Sequence, residues 1–298
     1  MAYINIYIAN PCKISVKDSQ LVLDGDRQMS FPVEDINSVM IESRQIMLTA
    51  YTLTALTDSG AVVYICDGCH LPHTLILPCN THSRQRKQLM LQLALPKPVT
   101  KQLWQTIIKQ KIINQAKCLE LCGKRYNTVL DYAGKVLSGD STNQESAAAR
   151  EYFRILFGED FKRQEDNALN GALNYGYAIV RGIIARSIVA HGFEPSFGIW
   201  HCSELNNFNL ADDIIEPFRP LVDMLIYEGV NPDITKLTTE IKKTIYNVVN
   251  CDVLIKGERH SVSNAVDIAV EGYLNSCENK SCCIALPELV NIAMHEYE

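Results

Sequence analysis

Apolar and polar residues alternate with a period of two at the start of the chain, where Ile4, Ile6 and Ile8 interleave with Tyr3, Asn5 and Tyr7. Successive side chains of a strand point to opposite faces, so this pattern predicts a β-strand with one buried side. Shorter runs of the same kind follow at residues 13–16, 21–23, 29–33 and 38–41, and the pair Asp24-Gly25 is a hairpin signal between two of them. One helix is expected near residues 46–57, with Gly60 as its stop, before strands resume at 61–66 and 73–77.

From residue 83 onward the periodicity is helical. Pro96 and Pro98 separate a first helix from a long second one over 100–121. Further helices are predicted at 124–138, 144–157, 168–191, 216–229, 233–249 and 261–275. No internal repeat or low-complexity segment interrupts them. The expected fold class is α+β: a small N-terminal β-rich domain, residues 1–82, followed by a larger all-α domain over 83–298.

Composition narrows the picture. The chain has 298 residues, 47% hydrophobic and 21% charged, which leaves room for two buried cores and excludes a disordered chain. No apolar run reaches the roughly 18 residues of a membrane helix. The N-terminal MAYINIYIANP lacks the basic start and apolar block of a signal peptide, so a cytoplasmic location is expected. The eleven cysteines are scattered and odd in number, which reads as reduced, small apolar groups rather than a disulfide framework.

Charge changes the picture more. A net charge of −6 argues at first against a polyanionic partner, but residues 80–135 alone carry 11 Lys/Arg against 2 Asp/Glu. Arg84, Arg86, Lys87, Lys97, Lys101, Lys109, Lys111, Lys117, Lys124 and Arg125 fall on or beside predicted helices. Such a segment suits phosphate contacts that release counterions; the alternative is an ordinary solvated face balanced by acids elsewhere in the fold.

Two stretches carry candidate chemistry. In QESAAAREYFRILFG, Glu145 shares a helical stripe with Ala148, Ala149, Tyr152 and Leu156, and Thr142 or Asn143 can cap the helix. A carboxylate in line with an apolar face needs a partner, and a metal ion is one candidate; the alternative is an acid placed in the first turn by the helix dipole. The second stretch, from Phe197 to Pro220, holds His201, Asp212, Asp213 and Glu216. Imidazole and carboxylate together suit Mn²⁺ and tolerate Mg²⁺.

These stretches, with NGALNYGY at 170–177, FGIWH ending at His201 and FNLADDIIEPFRPLVD around Glu216, resemble the CRISPR-associated integrase of spacer acquisition, the Cas-one family in its type II branch. The similarity covers essentially the whole chain and is strongest over 143–223. It implies a dimerising N-terminal β-domain and a helical catalytic, DNA-binding domain. It also implies that Glu145, His201 and Glu216 are catalytic and bind one Mg²⁺ or Mn²⁺, with Asp213 as a supporting residue. Arg84, Arg86, Lys87 and Arg219 are the candidate DNA contacts. The implied partners are double-stranded DNA (spacer precursor and repeat array), a second copy of the chain, and a small ferredoxin-like protein in a heterohexamer. The implied reaction is transesterification, in which a spacer 3′-hydroxyl attacks a repeat-end phosphodiester. The rivals are a non-catalytic DNA-binding scaffold and a metallohydrolase of other phosphoesters.

Other signals are weaker. Cys66, Cys69, His70 and His73, with Cys79 and His82 nearby, use zinc-ligand vocabulary, but the second pair stands too near the first for the usual finger. Trp104 and Trp200 read as core or interface residues, and Tyr175 and Tyr177 as packing groups, one of which could touch the site.

Overall fold

Alternating side chains and tight turns build the first part of the chain. A computed structural model describes residues 4–78, 82–230 and 234–296, in two compact units that meet in sequence between Ser83 and Arg84. The first unit contains β1 (Ile4–Ile8), β2 (Cys12–Lys17), β3 (Gln20–Asp24), β4 (Gln28–Pro32), β5 (Ile36–Ile41), β6 (Ile46–Leu48), helix α1 (Ala50–Asp58), β7 (Val62–Cys66) and β8 (Pro72–Ile76). One sheet has the order β1-β5-β7-β8 and another β4-β3-β2-β6. Asp18 and Ser19 both take positive φ (50° and 59°), as a two-residue loop between β2 and β3 requires. Gly25 follows directly on β3, and Asp24 pairs with Gln28 across the β3–β4 hairpin. Ile6, Ile14, Leu21, Ile36, Val39 and Val63 interdigitate in the core of this unit.

The helix expected over 46–57 begins later. Ile46–Leu48 pairs in parallel with β2, and Thr49 then caps α1 by accepting from the Thr52 N–H. A cap residue must leave the helical conformation, so the residues before Thr49 are free to join the sheet.

The second unit is mostly helical: α2 (Gln85–Leu93), α3 (Lys97–Leu121), α4 (Asn127–Ala133), α5 (Gln144–Phe157), α6 (Ala168–Ala190), α7 (Asn209–Ile214), α8 (Arg219–Gly229), α9 (Thr239–Tyr246) and α10 (Val262–Asn279). Helices α3 and α6 are its spine. α3 buries Leu103, Trp104, Ile107, Ile108, Ile112 and Leu119 and packs on α4, α5 and α8. α6 approaches α8 so closely that a Cβ on Gly176 would stand 2.4 Å from Val222 Cγ1.

This unit is not entirely α. A small sheet ordered β10-β9-β11 joins β9 (Cys251–Ile255), β10 (Glu258–Ser261) and β11 (Glu288–Met294). Lys256 and Gly257, both at positive φ, make the β9–β10 turn. The helix expected over 233–249 is correspondingly shorter, running from the Thr238 cap to Tyr246; its expected first residue lies outside the described residues.

Candidate functional site

Glu145 owes its position to an unforeseen cap. Neither Thr142 nor Asn143 caps α5: Asn143 sits in the left-handed region and makes no side-chain cap bond. Asp140 takes that role instead, with Oδ1 accepting from Gln144 N (2.9 Å) and Oδ2 from Glu145 N (3.0 Å). Ala148, Tyr152 and Leu156 are buried along the predicted stripe, and Glu145 extends that stripe at its N-terminal end. Its Oε1 accepts a hydrogen bond from Lys111 Nζ of α3 at 2.5 Å.

Glu216 opens a single 3-10 turn, Glu216–Phe218, between α7 and α8. Pro217 belongs in a first turn because it has no N–H to donate. Glu216 is buried between two cations: Arg219 Nε donates to Oε1 at 3.0 Å, and Lys111 Nζ lies 2.5 Å from Oε2. Burial alone would raise its pKa, but the Arg219 and Lys111 charges hold it down at about 2. Burial alone would likewise depress Lys111, yet Glu216 and Glu145 keep it above its ordinary value. Lys111, Glu216 and Arg219 are therefore all charged at neutral pH.

His201 is set by a buried aspartate. Asp213 accepts backbone N–H groups from Ile199, Trp200 and His201 as well as the His201 ring at Nδ1 (2.7 Å). The loop can wrap this closely only because residue 198 is glycine, where a Cβ would fall 2.3 Å from His201 O and 2.7 Å from Asp213 Oδ2. The hydrogen bond to Asp213 raises the His201 pKa, while burial raises that of Asp213 against the pull of its donors. Asp212 pairs instead with Arg181 at 2.9 Å and Asn206 at 2.7 Å. Of the two adjacent aspartates, Asp213 is thus the one that supports the histidine.

His201 is 45% exposed and borders a cavity of about 340 Å³ with Asn174, Tyr177, Arg181, Asp212 and Arg219. Trp200 stacks on Trp104 (centroids 5.7 Å apart), and Trp104 meets the His201 ring edge-on at 5.6 Å. Tyr177, read as packing, has its ring on the cavity side, beneath Arg219 at 4.6 Å.

The structure brings Glu145 and Glu216 together across 71 residues of sequence, since one ammonium touches both. His201 lies within electrostatic reach of Glu216. Among the described residues no three His, Cys, Asp or Glu side chains are arranged as a ready metal cage. The donor set nevertheless fits a hard divalent cation: the carboxylates of Glu145 and Glu216, whose oxygens already meet on one ammonium, and an imidazole whose Nε2 is left over from the Asp213 bond. Lys111 already places positive charge between the carboxylates.

Sequence reasoning counted Lys111 only as one of a basic run. The signal was present: Lys111 falls on the buried stripe of Trp104, Ile107, Ile108 and Ile112. Arg84, Arg86 and Lys87 lie exposed just before or on α2; Lys87 is 3.6 Å from Glu278, and Arg86 borders a different cavity with Gly192 and Glu194. The thiol–imidazole cluster forms the turn between β7 and β8. There Cys66 is buried with its Sγ 3.6 Å from Met40 Sδ, His70 lies 3.5 Å from Glu42, and Asp67 Oδ1 accepts from Cys69 N and Leu71 N. Cys79 lies outside the described residues.

Residues 6–247 match the family model described as CRISPR associated protein Cas1. The CRISPR-associated endonuclease Cas1 of Neisseria meningitidis serogroup C (strain 8013) is 38% identical over the full length of both chains. A casposase bound to integration product shares the fold with a TM-score of 0.75 at 19% identity, over 94% of this chain and 92% of that one. A chain of a Cas6-RT-Cas1–Cas2 complex does so with a TM-score of 0.69 at 18% identity, over 96% of this chain and 36% of that one.

Proposed function

The chain belongs to the Cas1 family of CRISPR-associated proteins, and from that premise we propose that it is a divalent-metal-dependent DNA endonuclease and integrase of CRISPR adaptation. The observation that carries this reading is the meeting of Glu145 and Glu216 on one cationic atom, beside an imidazole fixed by Asp213. Glu145, His201 and Glu216 would hold Mg²⁺ or Mn²⁺. That ion, when bound, supplies Lewis-acid polarisation of a phosphodiester and charge stabilisation for the leaving oxygen.

The chain's own groups do the rest. Asp213 accepts a hydrogen bond from the Nδ1–H of His201, so the neutral ring presents its lone pair at Nε2, with both tautomer and ring orientation fixed. Arg219 and Arg181 border the cavity and offer guanidinium donors to phosphate oxygens. The reaction is attack of a spacer 3′-hydroxyl on a phosphodiester at the repeat end, with hydrolysis when water replaces that hydroxyl. Charge on Arg84, Arg86 and Lys87 supplies sequence-independent DNA affinity.

We assign dimerisation to the N-terminal unit, and catalysis and DNA binding to the helical unit. The partners are spacer and repeat DNA, a second copy of the chain, and a small ferredoxin-like adaptation protein. The last is supported by the fold shared with a chain of a Cas6-RT-Cas1–Cas2 complex. None of the described helices is long and apolar enough to cross a membrane.

The test is integration of a short duplex with free 3′-hydroxyls into a repeat-bearing plasmid, with the adaptation partner present, with and without Mn²⁺ or Mg²⁺. Joined product that depends on the cation is expected. DNA binding without cation-dependent cleavage or joining would favour the scaffold instead.

A further inference from the structure

Lys111 stands where a metal-binding site has least room for a lysine. It lies in the middle of α3, on the stripe that buries Ile107, Ile108 and Ile112, and the residue is 8% exposed. An ammonium is buried at such a position only when charge compensates it. Here the compensation comes from Glu145 Oε1 and Glu216 Oε2, each 2.5 Å from Nζ. These are two of the ligands proposed above. Together with Arg219 on Glu216, the cluster holds two positive and two negative charges.

A divalent cation bound to both carboxylates would take oxygens at roughly 2.0–2.6 Å. It would stand against the same atoms that Lys111 now holds, and two cations cannot share that space without strong repulsion. We infer that Lys111 is a tethered counter-cation of the metal site: it keeps Glu145 and Glu216 together before metal arrives, and metal loading exchanges it out of the space between them. This rests on the metal reading given above. The exchange has two consequences. Without metal, the carboxylates do not repel one another and the site stays folded. With metal, part of the binding free energy goes into displacing the lysine, so the site loads less tightly than its ligands alone would allow.

The experiment measures Mn²⁺ affinity without DNA, by counting free Mn²⁺ with electron paramagnetic resonance, for the full chain and for Lys111→Met, Lys111→Gln and Lys111→Arg. The neutral variants should bind Mn²⁺ at least tenfold more tightly than the unaltered protein, a difference of about 1.4 kcal/mol. Their metal-free melting temperature should fall, and Mn²⁺ should raise it by more than in the unaltered protein. Lys111→Arg, which keeps the charge, should show no tightening. Equal or weaker binding by folded neutral variants overturns the inference, because Lys111 would then sit beside the metal rather than in its place. If neither the unaltered chain nor any variant binds Mn²⁺, the metal reading itself fails. If the neutral variants do not fold, amine acylation of the unaltered protein decides: labelling of Lys111, read by mass spectrometry, should accelerate when Mn²⁺ is added, and an unchanged rate overturns the exchange.

Discussion

Glu216 and Asp223 lie seven residues apart on one stretch of chain and are buried to a similar degree, at 5% and 1% exposed. Their surroundings differ in kind. Glu216 faces Arg219 and Lys111, whereas Asp223 accepts hydroxyl hydrogen bonds from Tyr152 (2.9 Å) and Tyr177. Burial works against the charged form of both. Cations in contact overcome it at Glu216, which is held at about 2; at Asp223 the tyrosine hydroxyls, with the charges of Arg163 and Arg219, offset it only in part, and it is pushed up to about 6. Neutral donors thus do not replace counter-charge in a dry site. The comparison separates two jobs that look alike in sequence. Glu216 is kept ionised and suited to a cation, while Asp223 can hold a proton and braces Tyr177 in the cavity wall.

Glu216→Gln should break the charged end most severely. It leaves Lys111 and Arg219 with one partner fewer in a buried cluster, a loss on the order of 3–5 kcal/mol. Integration should fall by at least about 10²-fold. Chemical denaturation and the plasmid assay on the same preparation check both. A variant as stable as the unaltered protein would mean that the cluster does not depend on this charge.

Asp223→Asn tests the other end through pH. Asp223 has a raised folded pKa, so between about 3.8 and about 6 the folded state keeps a proton that the unfolded state has released. Its effect is therefore to lower stability as pH rises through that window, by up to about 3 kcal/mol at about 1.4 kcal/mol per pKa unit. Glu216 has the opposite sign: its contribution is present above about 4.5 and is lost as pH falls towards about 2. Asn at 223 should remove only the first effect and keep activity within about tenfold. Unfolding free energies of both proteins at pH 4, 5, 6 and 7 give the difference; a difference that does not change with pH contradicts the raised Asp223.

His201→Ala sharpens the comparison because the imidazole serves the charged end while half in solvent. Asp213 keeps its three backbone donors when the ring is removed, so stability should drop by only about 1 kcal/mol. Strand transfer should fall by at least about 10²-fold while duplex binding persists. Parallel loss of melting temperature, binding and joining would make His201 a packing residue.

How much of this was legible follows from the range of the interactions. Period-two alternation is local, and it showed the strands around Ile4–Ile8 and Cys12–Lys17. Glu145, His201 and Glu216 stood out because their neighbours form distinctive motifs. Lys111 was hidden in a basic run, although its place among Trp104, Ile107 and Ile108 marked it as internal. The Asp140 cap escaped notice because a left-handed turn carries it to the helix end. The β9–β10 hairpin had a local signal in Val253-Leu254-Ile255-Lys256-Gly257, but β11 pairs with β9 from more than thirty residues away, beyond any window of periodicity.

Solvated charge on α2 extends the comparison to a third environment and should show the smallest effect on stability. Arg84, Arg86 and Lys87 are exposed, so they do not carry the burial penalty of Glu216. The Lys87–Glu278 pair, 3.6 Å apart with both side chains largely in solvent, is of the kind that contributes little. Changing all three to Glu should therefore leave unfolding within about 0.5 kcal/mol per site. What changes is the response of DNA binding to salt. For every phosphate that no longer meets a cation, the log–log dependence of affinity on salt should flatten by about one unit, even though the chain as a whole is acidic. Fluorescence anisotropy of a labelled duplex across a salt series measures that slope. An unaltered slope in the triple variant would remove α2 from the DNA surface and leave Arg181 and Arg219, the cations of the cavity, as the groups that meet phosphate.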